Sequence, residues 1–296
     1  MTTGYHPGEL AAQALAGDTQ RATHLGRSIQ ATVPAVAARF LRERRLIVLG
    51  AADAAGRMWA TMLSGPAGFL DAPDEHTVTV TGHPHPGDPL AALLSGSAQV
   101  GTIAIEPATR RRMRVNGRAR PTLDGLSISV EQVFSNCPKY IQKRSPEVAG
   151  AAPPSLRTRR GHHLSTGQRN LIDTSDTFFI ATADDHGNAD ASHRGGNPGF
   201  IQVLSPTELR WPDYLGNAAY MTLGNLELNP AAGLLFPDWD TGSLLLVTGT
   251  ARTDWSPDAQ RSVTFTVDET VELRGALPLQ WSAPEYSPAN PPVQES

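Results

Sequence analysis

The chain has 296 residues, 40% hydrophobic and 18% charged, with 25 Lys+Arg against 29 Asp+Glu for a net charge of −4. That length suits about two domains of ~150 residues each, and the balance excludes a disordered or membrane-embedded chain. The slight acidity gives no global attraction to nucleic acid or acidic lipid, and the single cysteine, Cys137, excludes an intramolecular disulfide or a CxxC metal knuckle.

Met1–Leu10 carries neither a basic n-region nor an apolar h-region, and nowhere do 18 apolar residues run together. The expectation is a cytoplasmic chain without signal peptide or membrane span. Of the basic residues only Lys139 and Lys143 are lysines. Arginine suits bidentate recognition of phosphate or carboxylate, although a GC-rich genome yields the same bias.

The first 45 residues read as helical. Glu9–Ala16 (ELAAQALA) is rich in Ala and Leu, and Val33–Arg45 has apolar residues at helical spacing, with Pro34 suited to a first turn. From Leu46 the pattern changes to short apolar runs punctuated by Gly and Pro, the signature of many short strands. Val48–Leu70 can be set over Phe179–Ile201 at a constant offset of 131 residues. Asp53 then falls on Asp184, Gly56 on Gly187, Gly65 on Gly196, Gly68 on Gly199 and Phe69 on Phe200. After a one-residue slip, Val115–Arg120 falls on Val247–Arg252.

An internal repeat follows from this register. Each unit would be a small antiparallel barrel with one helix: Pro89–Leu94 in the first, Asn217–Leu228 in the second, the latter closed by Asn229-Pro230. The organisation is a helical segment (1–45), a first unit (46–144), a linker (145–170), a second unit (171–282) and an extended tail (283–296). Two such units would pair as a covalent pseudo-dimer.

The densest polar cluster is Ser192-His193-Arg194-Gly195-Gly196-Asn197. A hydroxyl, an Arg fork and paired glycines after a strand suit an anion, because glycine lets backbone N–H groups approach closely. The alternative is a Gly-rich hairpin bulge. Thr222 and Asn225 are three apart on the expected helix and share a face. They offer polar groups to a ligand, or merely surface polarity. Arg110–Arg114 (RRRMR) reads as a solvated basic face or as part of a phosphate pocket, through Arg111 and Arg112. Nucleic acid is disfavoured there, since no aromatic residues interleave. His83, His85, His162 and His163 lack metal-ligand spacing. Cys137 reads as a packing thiol or, with Lys139 nearby to favour the thiolate, as a reactive one.

The stretches Asp190–Phe200 (DASHRGGNPGF), Pro212–Asn225 (PDYLGNAAYMTLGN) and Asn229–Phe236 (NPAAGLLF) resemble the pyridoxamine 5′-phosphate oxidase-like FMN-binding proteins. More narrowly, they resemble a bacterial subgroup sometimes fused to ferredoxin-reductase modules. Tyr5–Leu10, Trp59–Pro66, Arg110–Gly117 and Asn136–Gln142 are similar to segments of the same subgroup, so the resemblance spans nearly the whole chain.

It implies a mainly β fold of tandem split barrels with FMN at their interface. Ser192 and Arg194 would hold phosphate or ribityl oxygens, Gly195 and Gly196 would let backbone approach the ring, and Thr222 and Asn225 would add polar contacts. In the first unit Ser64 and Gly65 fall at the places of Gly195 and Gly196, and Trp59 would pack on the isoalloxazine. One site would be strong and the other vestigial.

The biosynthetic oxidase has a C-terminal Arg-x-His element, which Leu273–Pro288 lacks. Pyridoxamine phosphate is therefore not the expected substrate. The expectation is an FMN-dependent oxidoreductase acting on a small molecule, with NAD(P)H or a reductase as electron partner, and with His193 as a candidate proton-transfer group. A homodimer of the pseudo-dimer is compatible with this. The rival readings are a non-enzymatic electron-transfer module and a split barrel for deazaflavin or haem.

Overall fold

The structure is a computed structural model describing residues 4–135, 137–147, 156–256, 260–278 and 280–293. Three short helices open it: α1 (Pro7–Leu15), α2 (Thr19–Gly26) and α3 (Ala35–Arg42). The sequence predicts only two. The extra one, α2, buries Ala22 alone and has no apolar stripe to betray it. Tertiary contacts fix it, with the Tyr5 hydroxyl donating to the Ala22 carbonyl (2.8 Å).

The first sheet contains β1 (Leu46–Ala52), β2 (Met58–Ser64), β3 (Leu70–Asp74), β4 (Thr77–Thr81), β5 (Ala98–Glu106), β6 (Arg111–Thr122) and β7 (Gly125–Ser135). The one-turn helix α4 (Leu90–Leu93) follows β4. Beyond β8 (Pro146–Glu147), β9 (Arg157–Gly161) and α5 (Thr166–Thr174), the second sheet holds β10 (Thr177–Ala183), β11 (Ala189–Gly195), β12 (Gln202–Ser205) and β13 (Glu208–Pro212). After α6 (Met221–Leu228) it continues with β14 (Ala231–Pro237), β15 (Leu244–Asp254) and β16 (Ser262–Arg274), and β17 (Gln280–Trp281) pairs with β8.

The fold is thus mainly β with N-terminal helices. Every strand pair is antiparallel, and the orders are β2-β1-β5-β6-β7-β4-β3 and β11-β10-β14-β15-β16-β13-β12. Strand for strand these are the same order. Both sheets also bulge at one equivalent point, Asn116/Gly117 and Thr248/Gly249. The 145–170 segment contains regular structure: β9 adds to the edge of β16, and α5 starts on a Ser165/Gln168 capping box.

The halves pack face to face. One apolar cluster runs across both, including Ile47, Leu49 and Trp59 from one side and Phe179, Ala181 and Leu235 from the other. Gly233 lies under the backbone of Met58 and Trp59, and Gly101 under the backbone of Asp190, so a Cβ at either would overlap the crossing strand. These glycines are 132 residues apart, and each holds β2 against β14 or β11 against β5. Phe178, one residue from Phe179, points instead into the second barrel with Trp211, Phe236 and Phe265, as the period of two along a strand requires.

Helix α6 is shorter than the sequence predicts. Asn217–Tyr220 is a turn, because the Asn217 Oδ1 accepts the Ala219 N–H (3.1 Å) and Ala218 and Tyr220 take φ of 65° and 59°. Past Trp281 the described residues form no regular element. The tail is tied to the body by Asn290, whose Nδ2 donates to Asn197 Oδ1 (3.0 Å) and Gln142 Oε1 (3.1 Å).

Candidate functional site

Strand β11 carries the predicted cluster, and alternation sorts its side chains. Asp190, Ser192 and Arg194 turn toward α6 and the turn before it, where the hydroxyls of Ser192 and Thr222 lie 2.8 Å apart and Ser192 also reaches Asp190 (3.2 Å). His193 turns to the opposite face, edge-on to Phe179, and meets Arg112 of β6. The site is therefore assembled from both halves.

Arg112 Nη1 lies 2.9 Å from His193 Nδ1. A guanidinium only donates, so Nδ1 accepts and the ring proton sits on Nε2. Burial, with Arg112, Arg194 and Arg114 nearby, holds the His193 pKa well below its ordinary value. Held neutral, His193 offers its Nε2–H as a hydrogen-bond donor.

The arginines differ in how they are satisfied. Arg114 donates from Nη1 to both Asp190 oxygens (3.0 and 2.9 Å) in a pair only 8% and 5% exposed. Arg194 donates to the His193 carbonyl (3.2 Å). Its nearest carboxylate, Asp213 (3.8 Å), is already held by Arg261 (2.9 Å). Arg112 pairs with no carboxylate among the described residues, and burial next to Arg114 and Arg194 pushes its guanidinium down to about 9.

Four buried side-chain nitrogens, on residues that line one cavity of about 90 Å³, have no partner among the described residues: Arg112 Nε, Arg114 Nε, His193 Nε2 and Asn217 Nδ2. All four are donors. Buried polar groups are normally paired, and burying unpaired charge is costly. Four orphan donors and a surplus of cations describe the inside of an anion site. Tyr140 and Tyr214, with ring centroids 5.2 Å apart, stand at its mouth and also line an adjoining groove of about 490 Å³.

Of the sequence-predicted residues, the structure gathers Ser192, His193, Arg194, Gly195, Thr222 and Arg112 at this cavity. The others stand elsewhere. Gly196 turns away, its N–H bound to the Asp176 carbonyl (3.1 Å). Arg111 stacks over the Phe40 ring (5.0 Å), because consecutive strand residues face opposite sides. Trp59 is fully buried between the sheets and its indole N–H is taken by Asp53 (3.1 Å), so no ring face is free for a cofactor. Ser64 and Gly65 end β2, where the Gly65 N–H is bound to the Arg45 carbonyl (3.1 Å). Asn225 faces a different cavity, with Nδ2 donating to Thr182 (3.0 Å) and Oδ1 meeting His6 Nε2 (2.9 Å).

Arg114, Asp190, Asn217, Tyr140 and Tyr214 were not singled out from sequence. The alternation of RRRMR held the signal for Arg114, which shares a face with Arg112.

No family model and no curated protein matches the chain. Solved structures do. A Clostridium acetobutylicum protein of the pyridoxinephosphate oxidase family is 12% identical, with a TM-score of 0.27 over 39% of this chain and 91% of that one. An FMN-binding protein from Syntrophomonas wolfei is 10% identical, with a TM-score of 0.28 over 35% and 82%. A haem storage protein from Vibrio cholerae is 12% identical, with a TM-score of 0.27 over 37% and 95%. Each is matched over most of its own length by less than half of this chain.

Proposed function

We propose that the cavity at Arg112, His193 and Arg194 binds the phosphate of FMN, and that the chain is a flavin-dependent oxidoreductase acting on a small molecule. The observation that carries the reading is the set of four buried, unpartnered donors beside an arginine without a carboxylate. A phosphate supplies what they lack: several acceptor oxygens and negative charge. A volume of about 90 Å³ suits that group and not a tricyclic ring. The adjoining groove of about 490 Å³, bordered by Tyr140, Tyr214 and Trp255, has the size and aromatic walls that ring systems favour. The motif resemblance of β11 and α6 supports flavin over other phosphorylated ligands.

In this reading Arg112 and Arg194 grip phosphate oxygens, His193 donates from Nε2, and Ser192 and Thr222 offer hydroxyls. Bound FMN would supply hydride or electron transfer at its ring. Haem suits the donor set less well. With its proton on Nε2, His193 has no free lone pair there for iron, and its Nδ1 is occupied by Arg112.

The test is titration of the ligand-free chain with FMN and with riboflavin. FMN is expected to bind at least 100-fold more tightly. Equal affinities would contradict a phosphate site. Anaerobic NADH or NADPH added to the FMN-loaded chain is expected to bleach the flavin band. Binding without bleaching by either would leave an electron carrier served by a separate reductase.

A further inference from the structure

A second cavity, of about 570 Å³, lies beneath the N-terminal segment. It is bordered by His6 and Glu9 at the start of α1, Gln99 of β5, Asp190 of β11, and Met221 and Asn225 of α6. Met221 lines both this cavity and the donor-lined one, and the Arg114–Asp190 pair stands between them. Helix α1 is seated against α6 by two glycines. A Cβ at Gly8 would overlap the Gly224 carbonyl, and one at Gly224 would press on the Glu9 backbone (2.5 Å to its Cα). That contact brings His6 onto Asn225 and Glu9 to the cavity wall.

We propose that this cavity binds a small cationic molecule with an apolar body, of the primary amine or amidine class. The orphan atoms carry the inference. Asn225 Oδ1 meets His6 Nε2, so that nitrogen donates and His6 Nδ1 is a bare acceptor, buried without a partner among the described residues. Gln99 turns its Nε2 to the Glu131 carboxylate (3.4 Å), which leaves Gln99 Oε1 likewise buried and bare. The Glu9 side chain, 6% exposed, receives one backbone N–H, from His6 to Oε2 (2.8 Å). The unpartnered atoms around the cavity across the partition are donors, and those around this one are acceptors.

The charge count agrees. Asp184, just past the end of β10, and Asp190 of β11 add carboxylates around Glu9, and Arg114 of β6, which acts on it in the opposite sense, is spent on Asp190. His6, on its own helix, is pushed toward the neutral form by burial. His76 and Glu131 border the cavity. Burial, reinforced by Asp190 and Asp184, raises the Glu9 carboxyl to about 8, and an ammonium would draw it back to the charged form. Ile29, Val100 and Val130 give the ligand's body an apolar wall.

The inference does not depend on flavin, so its test uses the chain without it. Calorimetric titration with phenethylamine is compared with 2-phenylethanol, a neutral analogue of the same shape. The amine is expected to bind at least tenfold more tightly. Its affinity should rise about tenfold per pH unit from pH 6 to about pH 8 and then level, as Glu9 ionises while the amine stays protonated. Glu9→Gln keeps the size and the bond to His6, and should cost at least tenfold and flatten the pH profile. Val130→Trp fills the cavity from β7 and should also abolish binding. The proposal is overturned if the amine does not bind or binds no better than the alcohol. It is overturned equally if Glu9→Gln binds like the parent chain, even where Val130→Trp does not.

Discussion

The two halves share a strand order but not a chemistry, and the contrast is sharpest where β11 and β2 occupy equivalent places. In the second half Ser192 meets Thr222, and Arg194 and His193 flank them with Arg112 and Arg114 opposite. At the equivalent places in the first half, Thr61 meets Asp88, with Leu63 for Arg194, Met62 for His193, and Leu244 and Leu246 for Arg112 and Arg114. Each arginine position holds an apolar side chain, and the side-chain partner of Thr61 is a carboxylic acid, Asp88, just before α4. Asp88, 4% exposed, is raised by burial to about 6. A carboxylate there would repel a phosphate. The lesson is that one strand order supports a charged cavity in one half and apolar packing at the matching strand positions of the other.

The comparison can be broken by exchanging residues between the two places. The largest effect is expected from Arg114→Leu, which installs the residue found at Leu246. It leaves Asp190 buried without its partner and should cost about 3–5 kcal/mol in urea denaturation. A loss below about 1 kcal/mol would mean that the pair does not hold the halves together.

Asp88→Asn tests the closed twin. A carboxyl raised in the folded state favours the protonated fold, so the parent chain should lose roughly 2–3 kcal/mol of stability from this group as pH rises from about 4 to 6. Subtracting the Asn variant's stability profile from the parent's isolates that slope. A flat difference would place Asp88 in water.

Helix α6 is two turns long and carries α1, whereas its counterpart α4 is one turn. Gly8→Ala should wedge α1 from α6 and cost about 1–3 kcal/mol, read as earlier hydrogen exchange in both helices. The smallest effect is expected from Arg112→Met. Without an anion it removes a buried charge that has no carboxylate among the described residues, and should raise the melting temperature by roughly 2–4 °C. It should also abolish the rise in melting temperature that added phosphate is expected to give the parent chain.

Much of the fold was legible because it rests on local rules. The constant offset between Asp53-Ala54-Ala55-Gly56 and Asp184-Asp185-His186-Gly187 reflects one turn chemistry used twice, with both aspartates accepting N–H groups from two and four residues ahead. Helix α2 was not legible, because its position is set by contacts from Tyr5. The start of α6 was misread, because a turn at Asn217 overrides an apolar run.

The site was legible in β11, where hydroxyl, imidazole and arginine stand together. It was not legible in β6, because alternation alone does not say which of Arg111 and Arg112 faces inward. Trp59 shows the same limit. Its ring suits a flavin, but the crossing of β2 over Gly233 seals it in the core. Asn225 shares a helix face with Thr222, yet the partition at Met221 and Arg114–Asp190 sends the two into different cavities.

The most direct measurement is calorimetric titration of FMN into the parent chain and into Arg112→Met. One FMN per chain is the predicted result, with the variant's affinity reduced to that for riboflavin. Two FMN per chain, or one whose affinity ignores Arg112→Met, would contradict a single anion site built from both halves.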